Sequence, residues 1–112
     1  MTTHNELPGR RKRWALHQRD LAHLVGVSRS IIARYESGTL SPSARGVLAL
    51  EVIFGCSGRR LFPLAYAEVQ DEVMRRAAKL DRALGHRDDA SARRKRQLLG
   101  EMARRGSPPR PL

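Results

Sequence analysis

Two arginines, Arg29 and Arg34, carry the side chains in this sequence that are best suited to recognising a patterned set of hydrogen-bond acceptors. A guanidinium group can donate two parallel hydrogen bonds to a matched pair of acceptors. Ile32 and Tyr35 fall at helical spacing and share the opposite, inward side of the same segment. We therefore expect a short helix whose outer side carries Arg29, Ser30, Ala33 and Arg34.

An earlier predicted helix is separated from this one by a tight turn. Its apolar face is made by residues spaced as on a helix: Leu21, Ala22, Leu24 and Val25. Gly26 follows at once and suits a helix end, because glycine tolerates a positive φ. Ser28 suits the N-cap of the later helix, since its hydroxyl can accept a first-turn N–H. Two helices joined by an apolar turn of this length are typical of a DNA-binding helix-turn-helix.

The whole stretch resembles the Cro/phage-repressor (Xre-type) helix-turn-helix family. The matching residues are Gln18, Leu21, Ala22, Gly26, Val27, Ser28, Ile32, Tyr35, Glu36, Gly38 and Pro42. The resemblance extends back to Arg11 and Leu16, and it covers roughly residues 7–62. It implies an all-α fold with a five-helix, lambda-repressor-like DNA-binding domain, which we expect over residues 5–63.

The resemblance also implies site residues. On the outer side of the later helix, Arg29, Ser30 and Arg34 match base-reading positions of the family, and Ala33 is small enough to contact a thymine methyl group. Because arginine pairs well with O6 and N7 of guanine, we expect guanines in the recognised site. A second set is expected at DNA phosphates: Gln18, Ser28, Ser37, Thr39 and Arg13. The alternative for the arginines is an ordinary solvated charge, which is common on protein surfaces.

Three further positions concern structure rather than contact with DNA. In the family Glu36 pairs with the arginine of the first helix, here Arg11, and breaking such a pair strands one charge. Ala15 replaces the usual glycine, which costs little unless φ must be positive. His17 stands where the family places a serine, threonine or asparagine cap. We expect that change to weaken the start of the next helix by ~1 kcal/mol.

The remainder of the chain, residues 64–105, is expected to form a helical extension. A long amphipathic helix over residues 64–84 carries one apolar stripe with steps of three and four: Tyr66, Val69, Val73, Ala77, Leu80 and Leu84. This helix could dimerise with its copy, dock a protein partner or fold back onto its own domain. A weaker helix is expected over residues 88–105, with a basic run at 93–96 that is either a phosphate-contacting arm or a solvated face. Residues 106–112 are expected to be disordered.

The composition limits the class of function. The formal net charge of +11 suits a polyanionic partner. Cys56 is the only cysteine, which fits a reducing cytoplasm. The histidines are not spaced for metal binding, the sequence shows no catalytic motif, and no apolar run is long enough to cross a bilayer. We therefore expect no enzyme activity, no metal and no cofactor.

Taken together, these features predict a cytoplasmic, sequence-specific regulator of transcription that binds double-stranded DNA as a homodimer. Binding over a promoter would repress by occlusion, and activation is the physical alternative. A second interpretation is an antitoxin or another protein-binding regulator, which would use the same DNA-binding domain and would hold a protein partner through residues 64–84. A third is a protein-interaction or RNA-binding module without base reading, against which the two arginines at reading positions argue.

Overall fold

The computed structural model describes residues 5–106, which form seven helices and no strand. The helices are α1 (Leu7–Arg13), α2 (Gln18–Val25), α3 (Arg29–Ser37), α4 (Ala44–Phe54), α5 (Gly58–Leu61), α6 (Pro63–Leu84) and α7 (Ala90–Gly106). This architecture confirms the predicted all-α fold, with five short helices followed by a long helix and a basic one. The described residues divide into two compact units after Tyr66. Of the predicted disordered tail, Gly106 is the last residue of α7, and residues 107–112 lie outside the described part.

Aliphatic side chains dominate the core of the first unit. Its buried residues are Leu7, Leu21, Ala22, Ile32, Tyr35, Leu50, Leu61 and Phe62. Cys56 and Phe54 pack against this core at its edge. The resemblance also implies that a symmetric dimer would bury Leu61, Phe62 or their neighbours. Leu61 and Phe62 are already buried within their own unit, whereas the neighbouring Leu64 is 52% exposed.

Serine side chains start three of the short helices. The hydroxyl groups of Ser28, Ser43 and Ser57 each accept the backbone N–H three residues later, at 3.2 Å. Helix α2 begins differently, because the N–H of its cap residue His17 donates to the carboxylate of Asp20 at 2.8 Å. Asp20 thus supplies one half of a capping box, which offsets part of the weakness expected from His17.

Two apolar side chains that periodicity places inward are exposed. Trp14 shares a helical face with Leu7 and Arg11, yet 69% of its surface is accessible because it lies beyond the last helical residue of α1. Leu24 is 54% exposed. At ~100° per residue, Leu24 lies roughly 110° from the mean direction of Leu21, Ala22 and Val25. It therefore falls at the edge of the face that α2 buries.

Gly46 stands inside α4, where glycine is locally unfavourable. A Cβ atom at this position would lie 3.2 Å from the hydroxyl oxygen of Tyr35 and 3.4 Å from Cβ of Pro42. The missing side chain thus lets α4 approach the buried ring of α3 closely.

In the second unit, α7 is tied to the end of α6 through the intervening loop. Asp89 accepts the N–H of Ala92 at 2.9 Å, and this bond, followed by that from Arg87, lowers the pKa of the Asp89 carboxyl group. The guanidinium of Arg96 donates to the carbonyl oxygens of Gly85 at 2.6 Å and Arg87 at 2.5 Å. Part of the basic run at 93–96 therefore closes a loop.

The chain turns out of α1 through a residue in the left-handed conformation. Ala15 has φ = 59°, the one positive φ of a non-glycine residue in the described range. The N–H of Leu16 donates to the carbonyl of Arg11 at 3.1 Å, and that of Ala15 donates to the carbonyl of Lys12 at 3.0 Å. This pair of bonds is the Schellman arrangement, in which glycine is the usual residue.

Ala15→Gly is therefore expected to raise the free energy of unfolding by ~0.5–1 kcal/mol. The left-handed conformation costs a residue with a Cβ roughly 1–2 kcal/mol, and the added chain entropy of an unfolded glycine offsets only ~0.4–1 kcal/mol of that gain. Urea titration followed by far-UV circular dichroism measures the change. The matched control is Ala49→Gly within α4, which should lose about 0.5–1 kcal/mol. A loss of stability in both variants would contradict the strain at Ala15.

Candidate nucleic-acid interface

Helices α2 and α3 are joined by a short turn that both glycine and serine shape. Gly26 has φ = 87°, and its N–H closes α2 by donating to the carbonyl of Ala22 at 2.8 Å. Ser28 then caps α3. Leu21 of α2 and Ile32 of α3 are fully buried in the same core cluster, so the two helices are held as one element.

The outer side of α3 is one continuous strip of accessible side chains. Arg29, Ser30, Arg34 and Ser37 are exposed and Ala33 is half-buried, whereas Ile32 and Tyr35 are buried on the opposite side. At 3.6 residues per turn the accessible strip spans about 140° of the helix. The predicted base-reading residues therefore lie side by side on one surface.

A buried ion pair lies behind this strip. The Nε and Nη2 atoms of Arg11 donate to the two carboxylate oxygens of Glu36, at 2.6 and 3.1 Å. Both side chains are about nine-tenths buried, with 10% and 8% of their surfaces accessible. The remaining guanidinium nitrogen of Arg11, Nη1, donates to the carbonyl of Leu16 at 2.8 Å. Helix α1, the loop before α2 and helix α3 thus meet at one guanidinium group.

Gln18 connects the hydrogen bonds of this ion pair to the accessible strip of α3. Its Nε2 donates to Glu36 at 3.1 Å, and its Oε1 accepts from Nη1 of Arg29 at 3.0 Å. The orientation of the amide follows from chemistry, since a carboxylate only accepts and a guanidinium only donates. The structure therefore joins two of the predicted contact residues, and the Gln18 amide carries a second N–H beside the one that Glu36 accepts.

The two arginines of the strip differ in their surroundings. Arg29 is held through Nη1, so its Nε and Nη2 atoms are left for an external acceptor. Within residues 5–106 the side chain of Arg34 makes no hydrogen bond or ion pair, and it is exposed. Its whole guanidinium fork is available for a bidentate contact.

The remaining predicted phosphate contacts are exposed but serve local structure as well. The hydroxyl groups of Ser37 and Thr39 lie 2.9 Å apart, and each donates to the carbonyl of Arg34, at 3.2 and 3.4 Å. The Ser28 hydroxyl caps α3. Arg13 is exposed at the last position of α1. Contact of these residues with phosphate stays a prediction.

Two features near the strip were not predicted from the sequence: the buried contacts of Asn5 and the exposed side chain of Arg45. Asn5 is buried, accepts the N–H of Leu7 at 2.9 Å and donates to the carbonyl of Tyr35 at 2.9 Å. The bond to Leu7 is local, whereas Tyr35 lies 30 residues away in the sequence, so this contact could not be predicted from spacing. Arg45 is exposed in the first turn of α4, just after the 38–43 loop.

Two other kinds of function find no support in the part of the chain that the structure describes. Within residues 5–106, no group of three or more histidine, cysteine, aspartate or glutamate residues is arranged to hold a metal ion. None of the seven described helices is both long and apolar enough to span a bilayer.

The fold and the exposed strip of α3 together define a helix-turn-helix domain. Residues 11–61 match the helix-turn-helix family model, from within α1 to the end of α5. This domain therefore belongs to the Cro/C1-type, Xre-like helix-turn-helix family, as the resemblance predicted. Comparison with curated proteins and with solved structures gave no match. The family consists of DNA-binding regulators of transcription that are typically not enzymes, which suggests the same class of function here.

Removing the Glu36 carboxylate is expected to destabilise the domain strongly. Glu36→Ala leaves the buried Arg11 guanidinium without its counterion, and stranding one partner of a buried pair costs about 3–5 kcal/mol. The free energy of unfolding from urea titration measures the loss. The matched control is Glu6→Ala, which removes the more accessible partner, 49% exposed, of the pair with Arg10 and should cost no more than ~1 kcal/mol. Equal losses in the two variants would show that burial gives the Arg11–Glu36 pair no special weight.

Proposed function

We propose that this protein is a homodimeric, sequence-specific regulator of transcription that reads double-stranded DNA with α3. It acts in the cytoplasm, and it represses by covering a promoter. The observation that carries the proposal is the unobstructed strip of Arg29, Ser30, Ala33 and Arg34 on a helix that the core holds from behind.

The strip has the chemistry that the major groove requires. That groove admits one α-helix, and each base pair presents its own pattern of donors and acceptors there. The free fork of Arg34 and the remaining donors of Arg29 suit O6 and N7 of guanine. The methyl side chain of Ala33 can pack against a thymine methyl group. The Ser30 hydroxyl can donate or accept a hydrogen bond, so it can pair with either a donor or an acceptor on a base edge.

Phosphate contacts supply the larger and less specific share of affinity. Arg13, Ser28, Ser37 and Thr39 are all exposed. Gln18 begins α2, where the free N–H groups of the first turn attract anions. Because such contacts release counterions, binding should weaken steeply as salt rises. A dimer would place two α3 helices in half-sites about one helical turn, ~34 Å, apart.

Arg34→Ala is the sharpest test of base reading. A bidentate arginine–guanine contact discriminates by about 1–3 kcal/mol, so the variant should lose that much affinity for a selected duplex and accept other bases at the affected position. Its affinity for random DNA should fall far less. Fluorescence anisotropy on a duplex obtained by binding selection, at fixed salt, gives both numbers.

The matched control is Arg60→Ala, which removes an exposed arginine from α5 of the same unit. It should weaken specific and random binding by the same small factor. If Arg34→Ala also weakened both duplexes equally, Arg34 would be a phosphate contact, and α3 would lose its main specificity residue.

A second function is favoured by one observation, the exposed apolar side chains of α6. Val69 is 55% exposed, and Leu80 is 44% exposed. An antitoxin or similar regulator would bind DNA through α3 and cover these residues with another protein. A chain that is monomeric alone and forms a stoichiometric complex with the product of a neighbouring gene would support this alternative.

A further inference from the structure

One side of α6 has no partner within the second unit. Val69, Val73 and Leu80 are 55%, 40% and 44% exposed. Exposure of this size at three large apolar positions of one helix is unusual for a solvated face. Arg76 is exposed in the same row, so the positions follow each other in steps of four, three and four. This is the seam spacing of paired helices.

The row differs from the stripe that the sequence predicted. That stripe included Ala77 and Leu84, but Leu84 is buried and Ala77 is half-buried. Met74 and Ala77 line a shallow cavity together with Leu99 of α7. Helix α7 therefore covers one flank of the predicted stripe, and the row of Val69, Val73, Arg76 and Leu80 is the flank that it leaves open.

Most charges along α6 are segregated by sign. The first half carries exposed Glu68, Asp71 and Glu72, and the second half carries exposed Arg75, Arg76, Lys79 and Arg82. Asp81 is the one acidic residue of the second half, and it lies on the flank that faces α7. Within residues 5–106 none of these eight side chains forms an ion pair. These charged side chains are therefore not paired along the helix and can interact with a partner helix.

This pattern selects the partner and its direction. A two-fold interface is made of the same surface twice, so the surface must complement itself. A parallel copy would place acid against acid and base against base, whereas an antiparallel copy would place each acidic half against a basic half. Like charges in register are destabilising and unlike charges are favourable.

We propose that the exposed row of α6 pairs with the same row of a second copy of this chain, antiparallel, about an axis between Met74 and Arg75. In this register Val69 lies opposite Leu80 of the second copy, and Val73 lies opposite Arg76. The aliphatic stem of Arg76 covers Val73 while its charge lies near Glu72 of the second copy. Glu72 also faces Lys79 across the seam, and every one of these contacts occurs twice.

The test is sedimentation equilibrium of the full chain without DNA, over a series of protein concentrations. The wild-type protein should be in monomer–dimer equilibrium. Glu72→Lys should raise the Kd roughly tenfold, because the dimer loses the contacts of Glu72 with Arg76 and Lys79, each of which occurs twice, and gains repulsive ones. Lys79→Glu should raise it less, because only the contact with Glu72 is lost. The double variant Glu72→Lys with Lys79→Glu should bind several-fold more tightly than Glu72→Lys alone, since the contact between positions 72 and 79 is restored with reversed sign while that between positions 72 and 76 is not.

The matched control is Asp71→Lys, which makes the same change of charge one residue away but on the far side of α6. It should alter the Kd by less than about threefold, which separates the local pairs from net charge. Circular dichroism checks that each variant keeps its helices.

Several results would overturn the proposal. They are a chain that is monomeric at every concentration, a dimer whose Kd is unchanged by Glu72→Lys, and a double variant that dimerises no more tightly than Glu72→Lys alone. The last result would indicate a parallel pair, in which Glu72 and Lys79 lie about 10 Å apart along the axis. Because no DNA is present, failure here leaves base reading by α3 untouched.

Discussion

The ion pair between Arg11 and Glu36 is the constraint on which the recognition surface depends. It lies behind α3, binds α1 to that helix and fixes the loop before α2 through the carbonyl of Leu16. A buried pair adds little net stability over apolar residues of the same size, but it tolerates no single loss. Its effect is therefore to fix one arrangement of the three helices rather than to strengthen the core.

The same carboxylate reaches the surface through one amide. Glu36 accepts from Gln18, and Gln18 accepts from Arg29, so donors and acceptors alternate from the interior to the exposed strip. Arg29 is thereby restrained in the free protein, so a contact with an external acceptor would cost it less side-chain entropy. Arg34 has no such restraint, and an external contact would have to order its long side chain. Two arginines on one helix thus make different energetic contributions, although their types and exposure are alike.

Local signals predicted much of this structure, and non-local packing accounts for what they missed. Ser28 and Gly26 mark the turn because their roles depend on their own backbone and the next few residues. The exposure of Trp14 depends on where α1 ends, and periodicity gives a face without saying which neighbour covers it. The same limit applied to α6, where Ala77 and Leu84 belong to the side that α7 covers.

The candidate site shows the same division. The positions of Arg29, Ser30, Ala33 and Arg34 on one side of α3 followed from helical spacing, which needs no knowledge of the rest of the chain. Their hydrogen-bond partners did not follow. Gln18 is 11 residues from Arg29 and 18 from Glu36, so that contact exists only once α2 and α3 are packed. Gly46 likewise had no explanation until the Tyr35 hydroxyl was placed beside it.

The contacts of the arginines show which part of the net charge of +11 is free to bind a polyanion directly. Arg11 neutralises a buried carboxylate, Arg96 holds two loop carbonyls, and Arg59 lies over the Tyr66 ring at 4.6 Å. These residues contribute to the long-range field that attracts a polyanion, but Arg11 and Arg96 already donate to acceptors within the protein. Base recognition needs donors that are free and fixed in direction. By that criterion the positive surplus supplies general attraction, and on the outer side of α3 the arginine donors that remain free are those of Arg34 and the Nε and Nη2 groups of Arg29.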